Sequence, residues 1–177
     1  IMLARAVEAQ GGLPEPEFDA LYKQMLRFYA ENNAVHTSAY PGALEALDEL
    51  ARRGVRLAVV TNKFEAFATA LLDRLGLSHR FVTVIGGDSL GKGADGKYRA
   101  KPLPDPVIEA RARCGAREPG CRFAFVGDSS YDVAAARGAG VPVVVAAYGY
   151  CDRPPHELGG DAVIDSLHGL IPALEAL

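Results

Sequence analysis

The chain is poor in several residue types, and each shortage excludes a class of protein. Tryptophan is absent, and the three cysteines stand apart with no Cys-x-x-Cys pair. Such a count favours free thiols in a reducing cytoplasm. The four histidines are scattered, without the spacing of a zinc site. A net charge of −3 lacks the basic excess of nucleic-acid-binding proteins.

A long hydrophobic run is also missing. The longest, Val141 to Ala147, is interrupted by Pro142 and is much shorter than a membrane-spanning helix. No secretory signal is visible, because Arg5 and Glu8 lie within a helical pattern at the start. We therefore expect a cytoplasmic protein with neither a membrane nor a nucleic acid among its partners. Its oligomeric state is left open, and a homodimer is compatible with the sequence.

The hydrophobic pattern divides the chain into two regions. Residues 1–38 show helical periodicity alone, which predicts a helical hairpin with a second helix after Pro14. In residues 39–177, apolar strands alternate with helices that mostly end at glycine, as in an α/β protein with a mainly parallel sheet. Ligands of such sheets bind beyond the carboxyl ends of the strands. The residues that follow each strand are therefore candidates for a site.

The predicted elements of the second region are as follows. Strands are expected at 56–61, 81–85, 122–126, 141–146 and 162–164. Helices are expected at 44–53, 65–75, 105–114, 132–137 and 167–177. The loop at 86–97 contains five glycines and is expected to form a hairpin or flap.

Two of the predicted strands end in residues suited to phosphate chemistry. Thr61 and Asn62 follow the first strand, where a hydroxyl and neighbouring N–H groups ahead of a helix can hold a phosphate. Thr61 could equally cap that helix. Asp128 and Asp132 follow the third strand; two such carboxylates repel each other, and Mg²⁺, which prefers oxygen ligands, would offset that repulsion. The plainer alternative makes Asp128 a turn residue and Asp132 the acid at a helix start.

Lys101 lies in a segment made rigid by proline. Prolines at 102, 104 and 106 hold the chain extended until the next helix begins. An ammonium group in such a frame suits a phosphate or a carboxylate, whereas a solvated surface lysine is the alternative. All three signals fall at the carboxyl edge of one predicted sheet, and together they indicate a phosphate site with Mg²⁺ as cofactor.

These residues resemble the motifs of the haloacid dehalogenase superfamily. The sequence VVTNK at 59–63 is similar to its second motif, KPLPDP at 101–106 to its third and GDSSYD at 127–132 to its fourth. GGD at 86–88 and AYGY at 147–150 further resemble the phosphoglycolate phosphatases and their near relatives.

The resemblance implies a fold and an activity. The expected fold is a Rossmann-like parallel sheet at 39–177, with part of a helical cap at 1–38. The expected activity is Mg²⁺-dependent hydrolysis of a small phosphorylated metabolite, 2-phosphoglycolate, through an aspartyl-phosphate. Thr61, Asn62 and Lys101 are then the expected substrate-binding residues and Asp128 the metal ligand. Thr61, Lys101 and Asp132 are the expected catalytic residues.

One motif of the superfamily has no counterpart. An Asp-x-Asp at the end of the first, central strand should supply the nucleophile, but no aspartate precedes Asp19, which lies in a helical pattern. The chain also opens at Ile1 inside such a pattern. We therefore expect a cut chain that lacks the first strand and is inactive alone. Another phosphatase or a phosphomutase of the superfamily is an alternative, as is a non-catalytic protein that binds a phosphorylated ligand.

Overall fold

The structure, a computed structural model, describes residues 2–116 and 121–177. The chain divides into two compact units, one ending at Thr37 and one beginning at Ser38. The smaller unit contains helices α1 (Met2–Glu8) and α2 (Glu15–Asn32). Proline and glutamate begin α2, where a fixed backbone angle and a negative charge both favour a helix start. The two predicted helices of this region are therefore present.

The larger unit alternates helices with strands, as predicted. Its helices are α3 (Ala43–Arg52), α4 (Glu65–Arg74), α5 (Asp105–Arg113), α6 (Ser130–Gly138) and α7 (Leu170–Glu175). Its strands are β1 (Ala58–Val60), β2 (Thr83–Ile85), β3 (Phe125–Gly127), β4 (Val143–Ala146) and β5 (Ala162–Ile164). Short 3-10 turns occupy Ser78–Arg80, Pro155–Glu157 and Leu167–Gly169.

All strand pairs within the two sheets are parallel, which confirms the predicted α/β class. Strand β1 pairs with β2, and β3, β4 and β5 form a second sheet in that order. The sequence predicts one sheet that lacks its first, central strand, and the described residues form two separate sheets. In this part of the chain, β1 pairs with β2 alone and β3 with β4 alone. Each of these two strands therefore has one edge without a strand partner.

The core lies on both faces of β4. Val143, Val144 and Val145 are fully buried, because β4 is flanked by strands on both sides and covered by helices above and below. Side chains from α5, α6 and β3 pack on one face, and side chains from α3, α7 and β5 pack on the other. Full burial of each valine side chain stabilises the fold by about 1.5–3 kcal/mol. This burial explains why the strand sequence is an unbroken apolar run.

Several element boundaries differ from prediction for identifiable reasons. Helix α6 begins at Ser130 rather than 132, because Ser129 and Asp132 form a reciprocal capping box. The predicted helix at 167–177 is a 3-10 turn followed by the short α7, since Pro172 lacks an N–H and is tolerated only in a first helical turn. The glycine-rich loop does form a hairpin, closed by an antiparallel bridge between Lys92 and Tyr98.

Two further expectations concern thiols and membranes. The three cysteines are free, with Cys114 buried and Cys121 exposed, as their spacing predicts. No helix within residues 2–116 and 121–177 combines the length and apolar character required to cross a bilayer.

Candidate active site

The carboxyl ends of β1, β3 and β4 surround a cavity of about 270 Å³. Three of the predicted site residues line this cavity, namely Lys101, Asp128 and Asp132. The other lining residues are Tyr40, Val60, Val126, Gly127, Ala146, Tyr148 and Gly149. The cavity therefore lies where the topology of a parallel α/β protein places a ligand.

Lys101 joins the two sheets at this edge. Its Nζ donates to the carbonyl oxygen of Val60, at the end of β1, over 2.9 Å. It also donates to Oδ1 of Asp132, at the start of α6, over 2.6 Å. The Lys101 side chain is 11% exposed and that of Asp132 is 6% exposed. A solvated surface lysine is therefore the wrong interpretation, because the ammonium group is held between β1 and α6.

Asp132 accepts hydrogen bonds on both carboxylate oxygens. Its Oδ2 accepts from the Ser129 hydroxyl at 2.6 Å, from Ser129 N at 3.1 Å and from Asp128 N at 3.2 Å. Burial acts to raise the pKa of Asp132, but the Lys101 charge and these donors outweigh it, and the pKa is lowered. The helix-start interpretation of Asp132 is thus correct, and the same carboxylate also orients the Lys101 ammonium.

Gly127 makes this arrangement sterically possible. A Cβ at this position would lie 2.3 Å from the Asp132 Cβ and 2.6 Å from its Cγ. Asp132 can therefore pack against the end of β3 only because residue 127 has no side chain. The GD pair at 127–128 has a steric reason as well as a chemical one.

Asp128 lines the cavity, with one carboxylate oxygen fixed by the backbone. Its Oδ2 accepts from Tyr150 N over 2.8 Å. An ionised carboxylate has further acceptor positions, and its hard oxygen atoms suit Mg²⁺. Among residues 2–116 and 121–177, no three His, Cys, Asp or Glu side chains gather into a closed metal site. Since Mg²⁺ is commonly bound by one or two carboxylates together with substrate phosphate, a single cavity-facing aspartate fits that ion.

Thr61 and Asn62 follow β1 but are not among the residues that line the cavity. The Thr61 hydroxyl accepts from Lys63 N over 3.1 Å, forming a local turn. It does not cap α4, whose first residue, Glu65, donates its N–H to Asp88 Oδ1 over 2.8 Å. The cap alternative for Thr61 is therefore wrong, and Asp88 of the GGD segment takes that role.

The Asn62 side chain contacts the segment that carries Lys101. Its Nδ2 donates to the Lys101 carbonyl oxygen over 2.9 Å. The amide therefore holds the backbone of Lys101 against the loop that follows β1. This contact joins the second and third sequence motifs directly.

Sequence reasoning assigned no role in the site to the residues after β4. Tyr148 and Gly149 line the cavity, and Tyr40 lines it too. The Tyr148 ring meets that of Tyr40 edge-on, with 5.1 Å between ring centroids. The pKa of the Tyr148 hydroxyl is raised by burial, by Tyr40 and by the Asp128 charge. The sequence could have indicated these residues, because Tyr148 and Gly149 follow a predicted strand and ligands bind beyond the carboxyl ends of strands.

A larger cavity of about 500 Å³ lies at the opposite, amino-terminal end of the strands. It is lined by residues that precede strands, including Val55, Phe123 and Val141. Its charged lining residues are Arg53, Arg111, Arg122 and Glu175. Its described lining residues do not combine paired carboxylates with a buried lysine, so the smaller cavity is the candidate active site.

Comparison with known proteins agrees with this geometry. A family model of the haloacid dehalogenase-like hydrolases matches residues 3–140. The chain belongs to this family. It is 37% identical over 175 residues to a phosphoglycolate phosphatase of Agrobacterium fabrum, an alignment that covers 98% of this chain and 71% of that protein. It is 41% identical over 175 residues to the phosphoglycolate phosphatase of Rhodospirillum rubrum, covering 96% and 69% respectively.

Solved structures show the same relationship for this hydrolase. A crystal structure of a predicted phosphoglycolate phosphatase from Haemophilus somnus superposes with a TM-score of 0.84 at 32% identity. The match covers 96% of this chain and 74% of that one. The resemblance predicted from the motifs, to phosphatases of the haloacid dehalogenase type, is confirmed.

Proposed function

We propose that this hydrolase is a Mg²⁺-dependent phosphomonoesterase whose substrate is 2-phosphoglycolate. The observation that carries the proposal is the Lys101–Asp132 pair beside Asp128, at the carboxyl ends of β1 and β3. A cation and an acidic metal ligand facing one cavity suit a phosphate group, which needs its negative charge offset during transfer. Similarity to phosphoglycolate phosphatases supports the choice of substrate.

In this proposal Lys101 binds the transferring phosphoryl oxygens. Its Nζ has two acceptors in the structure, Val60 O and Asp132 Oδ1, which leaves one of three ammonium hydrogens for a substrate. Asp132 is already satisfied by donors on both oxygens, so its role is to orient Lys101 rather than to exchange protons. Thr61 and the backbone at Asn62 remain predicted phosphate ligands after β1.

Asp128 would hold the Mg²⁺ ion. When bound, that ion reduces the repulsion between carboxylate and phosphate and orients the phosphoryl group. The fixed Oδ2 of Asp128 keeps the carboxylate in one orientation before any substrate arrives. Such preorganisation lowers the cost of assembling the site.

In this scheme the nucleophile is a further aspartate, whose carboxylate oxygen bonds to phosphorus as the bond from phosphorus to the glycolate oxygen breaks. A second acid outside the 177 residues protonates the leaving glycolate oxygen and then activates the water that hydrolyses the aspartyl-phosphate to phosphate. The carboxylates lining the cavity are Asp128 and Asp132, and both have other roles in this scheme. We therefore place the nucleophile on a segment outside the 177 residues, between β1 and β3, since each of these strands has an edge with no strand partner among the described residues. On this proposal the 177-residue chain alone is inactive, and residues 1–38 belong to a cap domain.

The test uses the protein expressed from its complete reading frame. Phosphate release from 2-phosphoglycolate is measured with and without Mg²⁺, for wild type and for Lys101→Ala and Asp128→Ala. We expect both variants to lose turnover. Lys92→Ala is the matched control for a lysine outside the cavity, and it should retain the wild-type rate. Near-normal rates in either site variant would refute these assignments.

The same assay distinguishes between possible substrates and between an enzyme and a non-catalytic binding protein. A hexose phosphate hydrolysed faster than 2-phosphoglycolate would favour another phosphatase or a phosphomutase of the family. Tight phosphate binding without turnover by the wild type would favour a non-catalytic phospho-ligand-binding protein. The cytoplasmic location and the homodimer stay predictions, and sedimentation of the purified protein decides the latter.

A further inference from the structure

The loop that follows β4, residues 147–153, is tied to the loop that carries Asp128. Tyr150 N donates to Asp128 Oδ2 over 2.8 Å. In the opposite direction, Ser130 donates twice to Asp152, from its N to Oδ1 over 2.7 Å and from its hydroxyl to Oδ2 over 2.6 Å. Three hydrogen bonds thus connect residues 22 positions apart in sequence.

The two loops are also in direct steric contact. A Cβ on Gly149 would lie 2.3 Å from Asp128 Oδ2 and 2.4 Å from the Asp128 Cβ. The Asp128 carboxylate therefore lies directly against the Gly149 backbone. Gly149 N in turn donates to Ala146 O over 3.1 Å, which anchors this turn to the end of β4. A small shift of the 147–153 loop would move the carboxylate with it.

Asp152 itself is exposed and is not among the residues that line the cavity. It has a simple structural explanation, because Ser130 is the first residue of α6 and a carboxylate stabilises a helix amino terminus. That explanation accounts for its two bonds to Ser130. It does not account for the link that continues through Tyr150 N and Gly149 to the Asp128 carboxylate.

We propose that Asp152 is a positioning residue, which holds the 147–153 loop so that Tyr150 N and Gly149 fix the Asp128 carboxylate for a divalent cation. The inference rests on the proposed function, in which Asp128 is the Mg²⁺ ligand. Groups that orient a metal ligand typically change metal affinity by about 10–100-fold when they are removed.

A matched control exists at the other end of β4. Asp161 is also exposed, and it accepts from Val143 N over 2.8 Å and from Arg137 Nη1 over 2.9 Å. Asp152 and Asp161 thus each accept one backbone N–H and one side-chain donor. Val143 begins β4, so Asp161 acts at the amino-terminal end of this strand, whereas the cavity lies at its carboxyl end. A merely structural role would make the two aspartates equivalent.

The experiment titrates MgCl2 alone into the protein from the complete reading frame, by calorimetry, for wild type, Asp152→Ala and Asp161→Ala. We expect Asp152→Ala to bind Mg²⁺ about 10–100-fold more weakly. Asp161→Ala should keep its Mg²⁺ affinity within about twofold of wild type, since the donors to Asp161 are Val143 at the start of β4 and Arg137 in the last turn of α6, away from Asp128. Asp152→Asn should restore much of the affinity, because an amide can accept from Ser130 N and donate to its hydroxyl.

Asp152→Glu replaces Asp152→Ala in the test if the alanine variant fails to fold. The glutamate keeps the negative charge but moves the carboxylate by one methylene group, and we expect it to weaken Mg²⁺ binding as well. Equal Mg²⁺ affinities in wild type, Asp152→Glu and Asp161→Ala would overturn the inference while the proposed function stands. A wild-type protein that neither binds Mg²⁺ nor releases phosphate from 2-phosphoglycolate would overturn both.

Discussion

Removal of the Lys101 charge should destabilise the fold far more than removal of an exposed lysine charge. The Asp132 side chain is 6% exposed and its Oδ1 accepts from Lys101 Nζ, so Lys101→Met should leave this buried oxygen without that donor. The remaining donors, Asp128 N, Ser129 N and the Ser129 hydroxyl, all bond to Oδ2. Breaking a buried pair by deleting one partner typically costs about 3–5 kcal/mol, because the other charge is left uncompensated.

The assay is urea unfolding of the protein from its complete reading frame, without Mg²⁺ or phosphate. Urea is preferred because guanidinium chloride would screen the ion pair. Lys92→Met is the control, since Lys92 is exposed and its charge lies 5.2 Å from the Tyr98 ring centroid. Loss of such an exposed contact should cost at most about 1 kcal/mol. The double variant Lys101→Met/Asp132→Asn should recover part of the loss, because both charges are then gone.

The same pair fixes the sign of the pH dependence. The pKa of Asp132 in the fold is below its ordinary value of 3.8, so the ionised carboxylate is favoured by folding. Its contribution to stability is therefore present above 3.8 and is lost as the pH falls through the lowered pKa. The difference between wild type and Lys101→Met should shrink in that acid range. The reasoning would be refuted if Lys101→Met lowered the free energy of unfolding no more than Lys92→Met does. It would also be refuted if the loss in Lys101→Met stayed the same in acid.

Two further predictions test other parts of the structure. Gly127→Ala should destabilise the protein by about 1–3 kcal/mol or more in urea unfolding, because the new methyl group would overlap Asp132, which its hydrogen bonds hold in place. Gly169→Ala is its control, since the nearest atom lies 3.5 Å away, and it should change stability by less than about 1 kcal/mol; equal losses would contradict the steric argument. The pKa of Glu49 is lowered from 4.5 to about 2 by hydrogen bonds from two neighbouring arginines. Carbon-13 NMR titration should find that midpoint, and a value near 4.5 would show that these pairs are absent in solution.

Much of the fold could be predicted from local patterns. The apolar run at 141–146 and the glycine after four of the five predicted helices placed the elements of the larger unit, because burial and helix termination depend on nearby residues. Boundaries shifted where a specific bond intervened, as in the capping box of Ser129 and Asp132. The order and register of the strands within each sheet were not predictable, since strand pairing is decided by segments far apart in the chain.

The sequence by itself determined which side chains stand at the strand ends, and that was sufficient to predict Lys101, Asp128 and Asp132 as neighbours. The tertiary structure alone decided how they pair. Lys101 meets Asp132 across 31 positions, and Asp128 receives its hydrogen bond from Tyr150 across 22. A strand order aligns chain segments to within several ångströms, whereas a hydrogen bond requires a donor within about 3 Å of its acceptor. That final alignment depends on strand register, on the path of the loops and on close backbone packing such as that at Gly149. Local sequence patterns do not predict these features.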